Sequence, residues 1–201
     1  TPQSVGPWAW EIEGRAGPVA PRHRHAEAED VAFYLTTSGS TGLPKIVPVR
    51  HQAVALATSR AARGLDLAPG EATLNVMQLN HVHGLVSGVY LPWVAAACSI
   101  MPGEYTAADF VDWYRAAQPT WVSTSPAIYA DVLRRARQGG LSLHQPRLRF
   151  LRCGSAALDD GLRAEISTAF GAPLLEAYGM SEALIIAGVP ARDPRQGTVG
   201  R

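Results

Sequence analysis

The sequence predicts an α/β fold, a mainly parallel sheet flanked by helices, on three observations. Short runs rich in β-branched and aromatic residues alternate with stretches of helical period. The segments between successive strand candidates are long enough for crossover connections rather than tight hairpins. Hydrophobic residues make up 47% of the 201 and charged residues 17%. The charged share lies below the roughly 25% of ordinary soluble domains, so a buried core is affordable and disorder is excluded.

Taken in order, residues 1–30 mix prolines, glycines, arginines and histidines with little periodicity, and read as a linker with one short strand at most, at Trp8-Ala9-Trp10-Glu11-Ile12. The folded unit is expected over 31–201, with strands at 31–36, 73–79, 120–124, 148–153 and 174–178. Between them, Ala107, Phe110, Val111 and Tyr114 recur at helical spacing behind Thr106, and Thr106 with Asp109 forms a capping-box pattern. Ser125-Pro126 supplies an N-cap and a first-turn proline for a helix whose stripe is Tyr129, Val132, Leu133 and Ala136, ending before Gly139-Gly140. A third helix follows Asp159, with Leu162, Ile166, Ala169 and Phe170 as its apolar face and Gly171 and Pro173 as stop signals.

Composition removes several function classes. Eighteen basic and seventeen acidic residues leave a formal charge of +1, with no cluster of arginines, so nucleic acid is not an expected partner. Cys98 and Cys153 are the only cysteines and lie far apart, which excludes a disulfide-dense scaffold and a Cys-x-x-Cys site, and suits a reducing cytoplasmic setting. Residues 72–103 carry no Asp, Glu, Lys or Arg, a run longer than the roughly 20 residues of a membrane helix. Asn75, Gln78, Asn80, Ser87, Pro92 and several glycines interrupt it, so no membrane span is expected and a buried strand followed by a buried helix is.

Chemistry concentrates in three stretches. Thr36-Thr37-Ser38-Gly39-Ser40-Thr41-Gly42-Leu43-Pro44-Lys45 puts hydroxyls, two glycines and the chain's only lysine directly after the first strand candidate. Glycines let backbone approach an anion, hydroxyls and N–H groups donate to phosphate oxygens, and lysine adds a point charge. A Ser/Thr/Gly surface turn has the same composition. It is not a Walker loop, since Gly39 and Gly42 lie too close together and Pro44 precedes Lys45. Glu176-Ala177-Tyr178-Gly179-Met180-Ser181-Glu182 falls at the carboxyl end of a strand candidate, where ligands of parallel sheets gather. There Tyr178 could stack on a base, Ser181 could donate to a phosphate and Glu182 could ligate Mg²⁺; a simple strand-end turn is the alternative. His81-Val82-His83-Gly84 offers two histidines that would share a face of a strand, open to a zinc reading or to two buried structural histidines.

The first two stretches together resemble the adenylate-forming superfamily of acyl-CoA synthetases, nonribosomal peptide synthetase adenylation domains and luciferases. The first is similar to its Thr-Ser-Gly-Ser/Thr-Thr-Gly-x-Pro-Lys-Gly phosphate loop and the second to its Tyr-Gly-x-Thr-Glu motif. The resemblance runs over 31–201 and takes in His51, Asn80 to Gly84, Thr120 to Pro126, Gly154 to Ala156 and the closing Gly197-Thr198-Val199-Gly200. The double-histidine form is similar to that of oxalate-CoA ligase-like members. The resemblance implies part of an AMP-binding large domain that uses ATP and Mg²⁺ to turn a small carboxylic acid into an acyl-adenylate, for transfer to coenzyme A or to the phosphopantetheine of a carrier protein. It implies that Thr37, Ser38, Gly39, Ser40, Thr41, Gly42 and Lys45 hold the triphosphate, and that Gly154, Ser155, Ala156, Tyr178 and Gly179 hold the adenine. Ser181 would touch the α-phosphate, Glu182 the metal, and His81 the substrate carboxyl.

The sequence departs from that pattern at Ile46, where the family has glycine, at Asn80, where an aromatic is common, and at Ser181, which replaces threonine but keeps the hydroxyl. The family's ribose aspartate, hinge and small C-terminal domain with its adenylation lysine follow the position of Arg201. Residues 1–201 alone are therefore expected to be inactive, and a truncated, non-catalytic binding or scaffolding module is the alternative reading. Leu85, Trp121, Ser125, Leu184 and Ile185 are expected near the acid and suggest a small or apolar acyl group.

Overall fold

The computed structural model describes residues 25–37, 45–195 and 197–200. Most of the expected linker and residues 38–44 of the expected phosphate loop lie outside them. Strand β1 (Val31–Thr37) pairs antiparallel with β2 (Lys45–Arg50) as a separate two-stranded sheet. The first strand candidate thus forms, but outside the main sheet. Helix α1 (His51–Gly64) follows at once.

The main sheet has six strands, β3 (Ala72–Leu74), β4 (Cys98–Ile100), β5 (Trp121–Thr124), β6 (Phe150–Cys153), β7 (Leu174–Met180) and β8 (Leu184–Gly188), in the order β4-β3-β5-β6-β7-β8. All pairings are parallel except β7 with β8. The parallel neighbours are joined by helices, as such connections require. Helix α3 (Ala107–Ala117) leads to β5, α4 (Pro126–Gly139) to β6 and α5 (Asp160–Phe170) to β7. A π-helical segment (His83–Tyr90) running into the short α2 (Leu91–Val94) lies between β3 and β4.

The three expected helices carry their expected caps. Thr106 accepts from the Asp109 N–H at 3.1 Å and its hydroxyl donates to the Asp109 carboxylate at 2.6 Å. Ser125 caps α4 and Asp159 caps α5, while Gly140 and Gly171 end them in the left-handed conformation. Strand β3 is shorter than the 73–79 expected, because Asn75 takes over the backbone's partners: its Oδ1 accepts from the Met77 N–H and its Nδ2 donates to the Gly84 carbonyl, both at 3.1 Å.

Strand alternation sorts the core. Val122, Leu151, Cys153 and Leu174 face α3, α4 and α5, with Phe110, Tyr114, Tyr129 and Phe170 filling that layer. Trp121, Phe150 and Leu175 face the other way, with Ala62, Leu65 and Leu91, and the Trp121 and Phe150 rings stack at 5.8 Å. Two residues further along, the same face of β5 and β6 carries Ser123 and Arg152. This face of β5 and β6 is therefore apolar at its amino end and polar toward its carboxyl end. Among the described residues, no helix is long and apolar enough to cross a membrane.

Candidate active site

The polar end of that face opens into a cavity of about 150 Å³. Its floor is Arg152 and Ser87, one wall is His81 and His83 from the start of the π-helical segment, and the rim is Gly154, Ser155 and the Tyr178–Ser181 stretch. The tight packing of the segment on Asn75 seats the histidine: a Cβ on Gly84 would strike the Gln78 carbonyl, and one on Gly88 the Asn75 amide.

His83 is buried, with Nδ1 2.8 Å from the Ser155 hydroxyl and Nε2 2.8 Å from the Ser123 hydroxyl. One ring nitrogen donates and the other accepts. Burial first, then the nearby Arg152 and His81, hold the imidazole down to about 3, so it is neutral at physiological pH. The network continues through Arg152, whose Nη1 donates to the Ser87 hydroxyl at 3.0 Å and to Ser123 at 3.4 Å. Ser155 takes a left-handed φ of 73° beside Gly154, where a Cβ would lie 3.2 Å from the Ala177 carbonyl. The neighbouring Cys153 is no nucleophile, because burial pushes its thiol up to about 12.

The second motif has more structure than a strand end. β7 runs on to Met180 and turns back through Ser181-Glu182-Ala183 into β8, a hairpin missed by the sequence analysis. Gly179 is required there, since a Cβ would run into the Leu184 carbonyl, and Leu184 itself has φ 60°. Tyr178 is 52% exposed and lines the cavity, as does Ser181, and Glu182 is exposed at the turn.

Of the other expected site residues, Thr37 and Lys45 face each other as the last and first residues of β1 and β2, with Lys45 exposed. Ser38, Gly39, Ser40, Thr41 and Gly42 lie outside the described residues. Ala156 is exposed next to Ser155. The two histidines are not on a strand and do not behave alike: His81 is exposed at the cavity mouth, His83 buried within. The shared strand face on which the zinc reading rested does not form, and among the described residues no three potential ligands cluster for a metal. Leu184 and Ile185 line the cavity, whereas Leu85 and Trp121 pack in the core and Ser125 caps α4. Sequence reasoning passed over Ser87, Ser123 and Arg152. The available signal was an arginine inside the strand run Phe150-Leu151-Arg152-Cys153, where a buried strand should be apolar.

Together these features define a mainly parallel α/β protein with a small polar cavity at the carboxyl ends of its strands, where ligands of such sheets gather. Its motifs and its relatives say which one: the chain belongs to the AMP-binding enzyme family, whose model matches residues 3–201. A probable CoA ligase, CCL9, of Humulus lupulus is 33% identical over 159 residues, 78% of this chain and 30% of that protein. Oxalate–CoA ligase of Arabidopsis thaliana is 33% identical over 179 residues, 86% of this chain and 35% of that protein. Among solved structures, a malonyl-CoA ligase ternary product complex with methylmalonyl-CoA and AMP bound matches with a TM-score of 0.75 at 27% identity, over 87% of this chain and 38% of that one. The chain spans about a third of the length of the curated relatives it matches.

Proposed function

We propose that this chain carries the nucleotide and acid site of an ATP-dependent acid–thiol ligase. The observation that carries the reading is the convergence, at the rim of one cavity, of the Tyr178–Ser181 hairpin, the Gly154-Ser155 turn and the buried His83. That arrangement occurs in a fold shared with a ligase complex holding AMP and an acyl-CoA.

In this reading the acid's carboxylate oxygen attacks the α-phosphorus of ATP. The new P–O bond forms as the bond to pyrophosphate breaks, and pyrophosphate leaves with the electron pair. A thiol sulfur then attacks the acyl carbon and AMP departs, the thiol being that of coenzyme A or of a carrier protein's phosphopantetheine. Tyr178 offers its exposed face to adenine, with Gly154, Ser155 and Ala156 along the edge of the base. Thr37, Ser38, Gly39, Ser40, Thr41, Gly42 and Lys45 grip the triphosphate, and Ser181 donates to the α-phosphate. His81 and the neutral His83 lie on the acid's side. The chemistry is positioning and charge stabilisation.

Glu182 is an exposed hard-oxygen donor beside Ser181. Such a donor suits Mg²⁺ held by one carboxylate with phosphates and water. When bound, the ion would neutralise phosphate charge.

Lys45→Ala in the native polypeptide that carries this chain tests the reading. It should raise KM for ATP about tenfold to a hundredfold, the value of one charge-assisted contact, and leave the melting temperature unchanged. Unchanged ATP kinetics would return the stretch to a surface turn. The acid is a small one, a class to which the oxalate and malonyl relatives also point.

A further inference from the structure

Among the described residues two arginines are buried, Arg152 and Arg163, and they are treated differently. Arg163, on α5, is held by the carboxylates of Glu176 and Asp160. Arg152, 4% exposed on β6, has only hydroxyls: among the described residues its hydrogen bonds run from Nη1 to Ser87 and Ser123. The carboxylate on the neighbouring strand, Glu176, is committed to Arg163 at 2.7 and 3.0 Å. The adjacent titratable group from the π-helical segment, His83, is neutral. Burial without an opposite charge pulls the Arg152 guanidinium down to about 10, still well above physiological pH, so it stays charged. A buried cation with no counter-ion is costly, and replacing it with an apolar residue normally stabilises a fold.

The guanidinium is not sealed in. Arg152 forms part of the floor of the 150 Å³ site cavity and part of the wall of a second cavity of about 970 Å³ between α1 and β8. The smaller space corresponds to about five water molecules at liquid density, room for an acid of a few carbons. A planar fork of donors, fixed at one edge by two serines, presents its remaining N–H groups for bidentate recognition of a carboxylate or a similar oxyanion.

Resting on the functional reading above, we propose that Arg152 is the receptor for a second anionic group on the acid. The ligase would then take short dicarboxylates, or acids with another oxyanion a few bonds from the reacting carboxyl, in preference to monocarboxylates of the same length. The hydroxyl pair holds the fork in place, and the bound substrate supplies the missing charge. Of the small or apolar acyl group expected from the sequence, this keeps the small size and replaces the apolar character.

The test is acid-dependent ATP–pyrophosphate exchange by the native polypeptide, with oxalate and malonate against acetate and propionate, for the wild type, Arg152→Met and Arg152→Lys. The wild type should prefer the diacids. Arg152→Met should lower kcat/KM for them about tenfold to a hundredfold more than it lowers kcat/KM for propionate, with no selective rise in KM for ATP, and melt at no lower temperature. Arg152→Lys, which keeps the charge but loses the fork, should fall between, and decides the matter if the methionine variant does not fold. Equal use of propionate and malonate by the wild type would overturn the proposal while sparing the functional reading. So would a uniform loss for all acids, which marks a structural role, or a selective rise in KM for ATP, which marks a phosphate contact. Absence of exchange with every acid would remove the functional reading and this proposal together.

Discussion

His83 makes stability depend on pH in a way that can be calculated. Its ring is 7% exposed and its pKa is held to about 3, against 6.5 in the open chain. The folded-state pKa is depressed, so below pH 6.5 the unfolded chain binds a proton that the folded one refuses. Stability is fully present above 6.5, falls as pH drops below it, and levels off only under about pH 3. The limiting slope is about 1.4 kcal/mol per pH unit, and the integrated loss between pH 7 and pH 5 is about 2 kcal/mol. Urea unfolding at pH 7, 6 and 5, above most carboxylate titration, reads this directly. His83→Gln keeps a donor and an acceptor but no titration. It should be less stable at pH 7 by about 1 kcal/mol, the value of an imperfectly replaced hydrogen bond, and should lack the slope, so the two stabilities cross between pH 6 and pH 5 and the variant is the more stable by about 1 kcal/mol at pH 5. Equal slopes in both would refute the argument and place His83 in a more solvated setting.

Two further outcomes follow from the hairpin that carries the second motif. Gly179→Ala forces a Cβ into the Leu184 carbonyl and should cost about 1–3 kcal/mol, with faster amide exchange across β7 and β8; an unchanged unfolding midpoint would contradict the β7–β8 register. Glu182→Gln, at an exposed turn, should leave thermal stability unchanged and raise the Mg²⁺ needed for half-maximal exchange; an unaltered magnesium titration would remove the metal role.

The parts of the fold legible in the sequence were those governed by local rules. Thr106, Ser125 and Asp159 cap where their side chains predict, and α3, α4 and α5 begin behind them. The parallel strands β5, β6 and β7 were visible as apolar runs. Less visible were elements set by tertiary packing. β2 and β8 are antiparallel partners of strands already recognised, and β3 ends early because one asparagine side chain competes with the ladder. The π-helical segment depends on Gly84 packing on the Gln78 carbonyl and Gly88 on the Asn75 amide, which no local period reveals. Tyr178, Ser155 and Ser181 were singled out through motifs, and the structure brings them to one cavity rim. Arg152, Ser123 and Ser87 were missed for a physical reason: they come from three separate elements, and only the fold makes them neighbours.

The central claim is that this cavity joins an acid to the α-phosphate of ATP. Its most direct test is incorporation of labelled pyrophosphate into ATP by the native polypeptide, measured with and without each of a panel of short carboxylic acids. The account predicts exchange that requires both an acid and Mg²⁺ and that falls sharply in Tyr178→Ala, which removes the adenine platform. Exchange absent with every acid, or ATP turnover indifferent to acid, would contradict it.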